Sequence, residues 1–211
     1  MAGHYLETGS VGWRHEGWDD SYYPDGLPED WQLEFYTHLF RVLALPSDDW
    51  MTASTEEVEQ WLEDGGDECS FFLMIDSPDW GTQQAEKLAH AGALLSGSLL
   101  GIVVMQDQVR LSDSMLSELS KHFKVFIDSD APVSDDVFSV CWRPDRKTEH
   151  SVVGMLTANQ SNNTRQLRGY IESFLQQAGE DRELYLLFSG EPPVIKAMQD
   201  AQVIGQMLTG N

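Results

Sequence analysis

The stretch ETGSVGWRHEGWDDSYYPDGLPEDW, residues 7–31, decides the fold. Its start belongs to YLETGSVGW, which reads as a strand running into a Gly/Trp turn. The remainder is rich in glycine and aspartate, so the backbone turns repeatedly. Yet it carries Trp13, Trp18 and Trp31 and the adjacent pair Tyr22 and Tyr23. Aromatic side chains in a turning segment point either to a binding surface or to a loop that is itself packed.

Outward from that stretch, helical and extended patterns alternate. LPEDWQLEFYTHLF places Leu33, Tyr36, Leu39 and Phe40 on one helix face. RVLALPS is a short apolar strand ended by proline. STEEVEQWLEDGG has a Ser/Thr cap, an acidic first turn and a paired-glycine stop. CSFFLMID, LLGIVVMQD, KVFID, DVFSVCW and ELYLLFSG read as further strands. TQQAEKLAHAGALL, SDSMLSELSKHF, RQLRGYIESFLQQAG and PPVIKAMQDAQVIGQML read as helices. The strands are continuously apolar, as parallel strands covered on both faces are. No linker, repeat or low-complexity block divides the chain, so residues 1–211 are expected to form one α/β domain.

Composition excludes several function classes. Thirteen Lys and Arg against 35 Asp and Glu give a formal net charge of −22. Such a surface repels phosphate backbones, so nucleic acid and anionic membrane are unfavoured partners. No apolar run is long enough to span a bilayer. The start, MAGHYLETGS, shows neither the basic region nor the apolar core of an export signal. Cys69 and Cys141 sit in apolar runs as buried thiols do, and the expected compartment is the reducing cytoplasm.

The run from Gly9 to Phe40 resembles the YecE-like domain of unknown function (family 72). Gly9, Gly12 and Trp13 match its Gly-x-x-Gly-Trp first strand. Tyr23, Pro24, Gly26 and Leu27 match its Tyr-Pro-x-Gly-Leu loop, followed by Trp31. Tyr36 and Phe40 match its Tyr-x-x-x-Phe helix. The resemblance implies a TIM-type (β/α) barrel. Such barrels usually need about 250 residues, so this one is expected to be incomplete, with about seven parallel strands. An open seam would then need cover, and a homodimer is one way to supply it. In a barrel the loop after the first strand crosses the C-terminal mouth. Trp13, Trp18, Tyr22 and Tyr23 then either wall a ligand pocket or plug the mouth beneath the loop. Most polar mouth residues of the family are replaced here: its strand-two Glu and Asn fall on Leu43 and Leu45. Asp128 and Ser129 stay in place, which makes Ser129 a ligand-binding candidate.

The residues themselves offer another pattern. Asp76, Asp107, Asp128 and Glu191 each come after a strand, and in a parallel barrel those ends converge on one face. Together they could hold a divalent metal, Mg²⁺ or Mn²⁺, through oxygen ligands. Carboxylates just after strands also serve as turn and helix-cap residues. In WRPDR, Trp142 and Arg143 with Arg146 suit a phosphate or carboxylate, or else neutralise neighbouring acids. No zinc spacing, serine elbow or P-loop is present. Two functions are therefore expected as alternatives. One is a catalytically altered barrel that binds a small molecule or a protein. The other is a metal-assisted hydrolase using the mouth carboxylates.

Overall fold

The computed structural model describes residues 4–130, 138–146, 148–161, 163–179 and 183–210. Eight strands are present: β1 (Tyr5–Val11), β2 (Val42–Leu45), β3 (Ser70–Ile75), β4 (Leu99–Met105), β5 (Val125–Asp128), β6 (Ser139–Val140), β7 (Val153–Thr157) and β8 (Glu183–Ser189). All pairings are parallel and run in chain order, and β8 pairs back onto β1, with Thr8 opposite Leu186.

The step from β6 to β7 is made just past β6. The Trp142 N–H donates to the Val153 carbonyl at 2.8 Å, and the Met155 N–H donates to the Trp142 carbonyl at 2.9 Å. That bridge nearly closes a TIM-type barrel. Gly154 sits at it because a Cβ there would lie 2.9 Å from Leu186 and 3.2 Å from the Trp142 ring.

Among the described residues the strand count is eight, one more than the expected number of about seven. The additional strand is β7, whose sequence VGMLT is a short apolar run against a polar segment. Among the described residues no helix comes after β5 or β6, whereas α1 (Gln32–Thr37), α2 (Ser47–Thr52), α3 (Thr55–Gly65), α4 (Thr82–Leu94), α5 (Gln106–Val109), α6 (Asp113–Ser120), α7 (Ala158–Ser161), α8 (Thr164–Gln177) and α9 (Ile195–Thr209) serve the other connections. The seam that a second copy was expected to cover is narrowed, within the chain, by the one bridge at Trp142. No described helix is long and apolar enough to cross a membrane.

Side chains alternate across the strands, as the period of two requires. Val42, Ala44, Phe72, Met74, Val103, Phe126, Cys141, Val153, Met155 and Leu187 fill the barrel interior. Leu43, Leu45, Phe71, Leu73, Ile75, Ile102, Val104 and Leu186 face outward into a larger core beneath the helices. Local signals set the helix limits. Ser54 and Glu57 form a reciprocal capping box on α3, Ser112 caps α6, and Asn163 accepts from the first turn of α8.

Candidate functional site

The loop after β1 lies beside the ends of β1, β2 and β8, and its aromatics are packed. Trp13 and Trp18 are each 1% exposed and Tyr23 is 2%. Trp13 meets Trp61 of α3 edge to face at 5.5 Å, and Trp18 stacks on Tyr36 of α1 at 6.2 Å. The loop is tied at both ends. The Tyr23 hydroxyl donates to the Trp13 carbonyl at 2.6 Å, and the Trp18 indole N–H donates to the Pro193 carbonyl at 2.9 Å. Tyr22 packs against Trp18, Tyr23 and Phe35. Burial pushes the phenol pKa values of Tyr22 and Tyr23 well above the ordinary range. This cluster fixes the loop to the barrel.

The four strand-end carboxylates take four different partners. Asp76 accepts the N–H of Ser47, the first residue of α2, at 3.0 Å. In return its own N–H donates to the Ser47 hydroxyl at 3.0 Å. It thereby satisfies one of the free N–H groups at the start of that helix. Asp107 accepts the Asp130 N–H at 3.0 Å. The side chain of Glu191 is 94% exposed, 3.5 Å from His15 Nδ1. Among the described residues no three His, Cys, Asp or Glu side chains stand together as a metal-holding group.

Asp128 is held differently. Its side chain is 4% exposed, between Arg143 and Arg146 at 14% and 16%. Arg143 donates through Nε to Oδ1 at 2.8 Å and through Nη2 to Oδ2, a bidentate fork. Arg146 donates through Nη1 to Oδ1 at 2.6 Å and through Nη2 to Asp130. Burial alone would lower the Arg143 pKa, but the hydrogen bonds and charge of Asp128 outweigh it and raise it. Ser129 is buried beside this cluster. Trp142 points the other way: it is fully buried against Phe174 and Tyr170 of α8. The Trp142 ring and the Arg143 guanidinium, adjacent in sequence, thus lie on opposite faces of the barrel wall.

Three contributors at the mouth escaped the sequence reading as site residues: Asp130, Asp49 and Arg14. Burial raises the Asp49 pKa, Arg14 opposes that shift, and Asp48 reinforces it. The Arg14 guanidinium lies 4.5 Å from the centre of the Trp13 ring. The Asp128 cluster does have a sequence signature. DSD after β5 and RPDR after β6 place complementary charges at the ends of neighbouring strands.

No protein-family model matches the chain, and no curated protein sequence matches it. Solved structures do. A DUF72 family protein from Thermotoga maritima MSB8 has a TM-score of 0.67 at 14% identity, over 97% of this chain and 99% of that one. Another, from Enterococcus faecalis V583, has a TM-score of 0.67 at 11% identity, over 96% of each chain. The fold is that of the DUF72 proteins. It agrees with the resemblance carried by residues Gly9 to Phe40. A D-psicose 3-epimerase crystallised with D-fructose also matches, with a TM-score of 0.61 at 9% identity, over 97% of this chain and 100% of that one. The barrel is shared by proteins of different chemistry, so the side chains at the mouth must carry any functional argument.

Proposed function

We propose that this DUF72-fold barrel is a binding protein, one that takes a small molecule or a protein partner across its C-terminal face and performs no metal-assisted hydrolysis there. The observation that carries this reading is the state of Asp128. Oδ1 accepts from both guanidiniums and Oδ2 from Arg143, so the carboxylate is neutralised by two fixed cations, which opposes a metal ion beside it and weakens it as a general base. Asp76 and Asp107 are engaged by backbone N–H groups, which is the work of structural carboxylates. The rim still offers recognition groups: Arg14 over Trp13, the His15–Glu191 pair, and Asp130. The charge of −22 disfavours nucleic acid as the occupant. The buried thiols of Cys69 and Cys141 suit a reducing compartment, and we place the protein in the cytoplasm.

Thermal melts of chelator-treated protein with Mg²⁺, Mn²⁺, Zn²⁺ and Ca²⁺ test the choice against the hydrolase. An ion at about 100 times its dissociation constant adds about 2.7 kcal/mol. At roughly 2–4 °C per kcal/mol for a domain of this size, that is a rise of about 5–10 °C. The binding reading expects no rise with any ion. A rise that Asp76→Asn abolishes would instead establish a metal site and favour the hydrolase.

A further inference from the structure

The N-terminal face of a (β/α) barrel is ordinarily packed and contributes to stability. Here it holds a cavity of about 650 Å³, lined at the starts of β4 to β8 and by the segment between α6 and β5. That volume falls within the range of about 300–1,000 Å³ typical of small-molecule sites. Phe126 and Tyr185 line it from the barrel interior. Each packs edge-on against Phe72, at 5.7 and 5.4 Å, so the aromatic layer is braced from behind. Phe123, Leu100 and Val152 add apolar wall.

Two residues of opposite charge complete the lining, Lys124 just before β5 and Glu183 at the start of β8. They do not pair with each other, and neither forms an ion pair with any described residue. Glu183 accepts one hydrogen bond, from the Tyr185 hydroxyl at 3.2 Å. Burial, then the Glu183 charge, push the Tyr185 pKa up to about 12, so that hydroxyl remains a donor at neutral pH.

We propose that this cavity binds a zwitterionic small molecule with an aromatic body, the class to which aromatic amino acids belong. Its carboxylate meets Lys124, its ammonium meets Glu183, and its ring lies against Phe126 and Tyr185. A simple anion would meet Glu183 and the field of a chain at −22, and a simple cation would meet Lys124. A ligand carrying both charges answers both groups and is indifferent to the net charge. The site lies at the opposite end of the barrel from the mouth and is independent of the reading given to it.

Calorimetric titration of the full chain with L-phenylalanine, phenethylamine and 3-phenylpropionate tests the assignment. L-phenylalanine should bind about tenfold or more tighter than either single-charge analogue, the worth of one charge-assisted hydrogen bond. Lys124→Gln should weaken L-phenylalanine and 3-phenylpropionate about tenfold and leave phenethylamine unchanged, whereas Glu183→Gln should weaken L-phenylalanine and phenethylamine about tenfold and leave 3-phenylpropionate unchanged. Val152→Trp, which fills the cavity, should remove all three. Because both charge substitutions lie at exposed positions, they test the site even if Val152→Trp fails to fold. No heat with L-phenylalanine at about 1 mM, where even a −4.1 kcal/mol interaction half-saturates, overturns the proposal. So does equal affinity for the single-charge analogues, or binding that neither charge substitution alters.

Discussion

Asp128→Asn isolates the feature on which the functional reading rests. Asparagine keeps the shape and one carbonyl acceptor but removes the charge that two guanidiniums, at 14% and 16% exposure, face. Breaking a buried ion pair by removing one partner costs about 3–5 kcal/mol, because the remaining charge is left uncompensated. At about 2–4 °C per kcal/mol, the midpoint should fall by about 6–20 °C, read by calorimetry or circular dichroism. A compensated variant, Asp128→Leu with Arg143→Met and Arg146→Met, should recover most of the loss. Replacing a whole buried ionic cluster with apolar groups of similar volume is often neutral or stabilising. Asp130 loses its partner in that variant but is well exposed, so its share is small. An Asp128→Asn midpoint within about 2 °C of the parent would refute the reasoning. A carboxylate kept for function at the expense of stability behaves that way when removed, and Asp128 would then be a candidate for chemistry.

Three further predictions concern the frame around the site. Gly9→Ala would place a Cβ 2.0 Å from the Val42 carbonyl oxygen, a backbone atom that cannot swing aside. The substitution should cost about 3 kcal/mol or more, visible as a lower urea midpoint or as loss of soluble protein. The Asp49 pKa is raised by burial, so the native state binds the proton more tightly than the unfolded chain and stability falls as pH rises through that window. Asp49→Asn should therefore gain on the parent in melting temperature as the pH is raised from about 4, the ordinary aspartate range, and a difference that does not change with pH would contradict the assignment. Burial pushes the Cys69 thiol up to about 12 and the Cys141 thiol higher still. Ellman's reagent should find neither thiol in the native protein and both after denaturation, and rapid native labelling would mean that the barrel opens.

The fold was legible because its signals were local or repeated. The run from Gly9 to Phe40 resembles the family pattern, and Gly9 within it is required by its contact with Val42. Continuous apolar runs marked every long strand. β7 escaped because five residues, one of them Gly154, do not stand out by composition. Its place is set by the close approach of Trp142 and Leu186, which only the folded barrel reveals. The site was legible in residue type and illegible in direction. The resemblance set two polar positions of the family's second strand on Leu43 and Leu45, yet these face outward under the helices while Val42 and Ala44 face in. A shift of one residue reverses a strand's facing, and the chain alone does not settle it. The same parity separates Trp142 from Arg143.

Facing also explains why this acidic protein places two of its 13 cations at one carboxylate. Asp128 shares the inward phase of Phe126, and the interior around it is supplied by Met74, Met105, Cys141 and Met155. A bare carboxylate there would carry a large desolvation penalty, far beyond what a marginally stable domain tolerates. Neutralising it requires donors that reach into the barrel, and the segment after β6 supplies both. Met155 Sδ lies 4.0 Å from Arg143 Nη2, so the apolar layer is in contact with the charged one. Among the described residues no helix comes between β6 and β7, which leaves that segment free to turn inward as RPDR, and Arg143 and Arg146 both reach Asp128 from it. The lost helix and the closed carboxylate are thus two sides of one departure from a complete barrel. A variant that restored a helix after β6 at the expense of Arg146 should leave Asp128 facing one cation instead of two, and it is in such a variant that metal binding at this mouth should first become measurable.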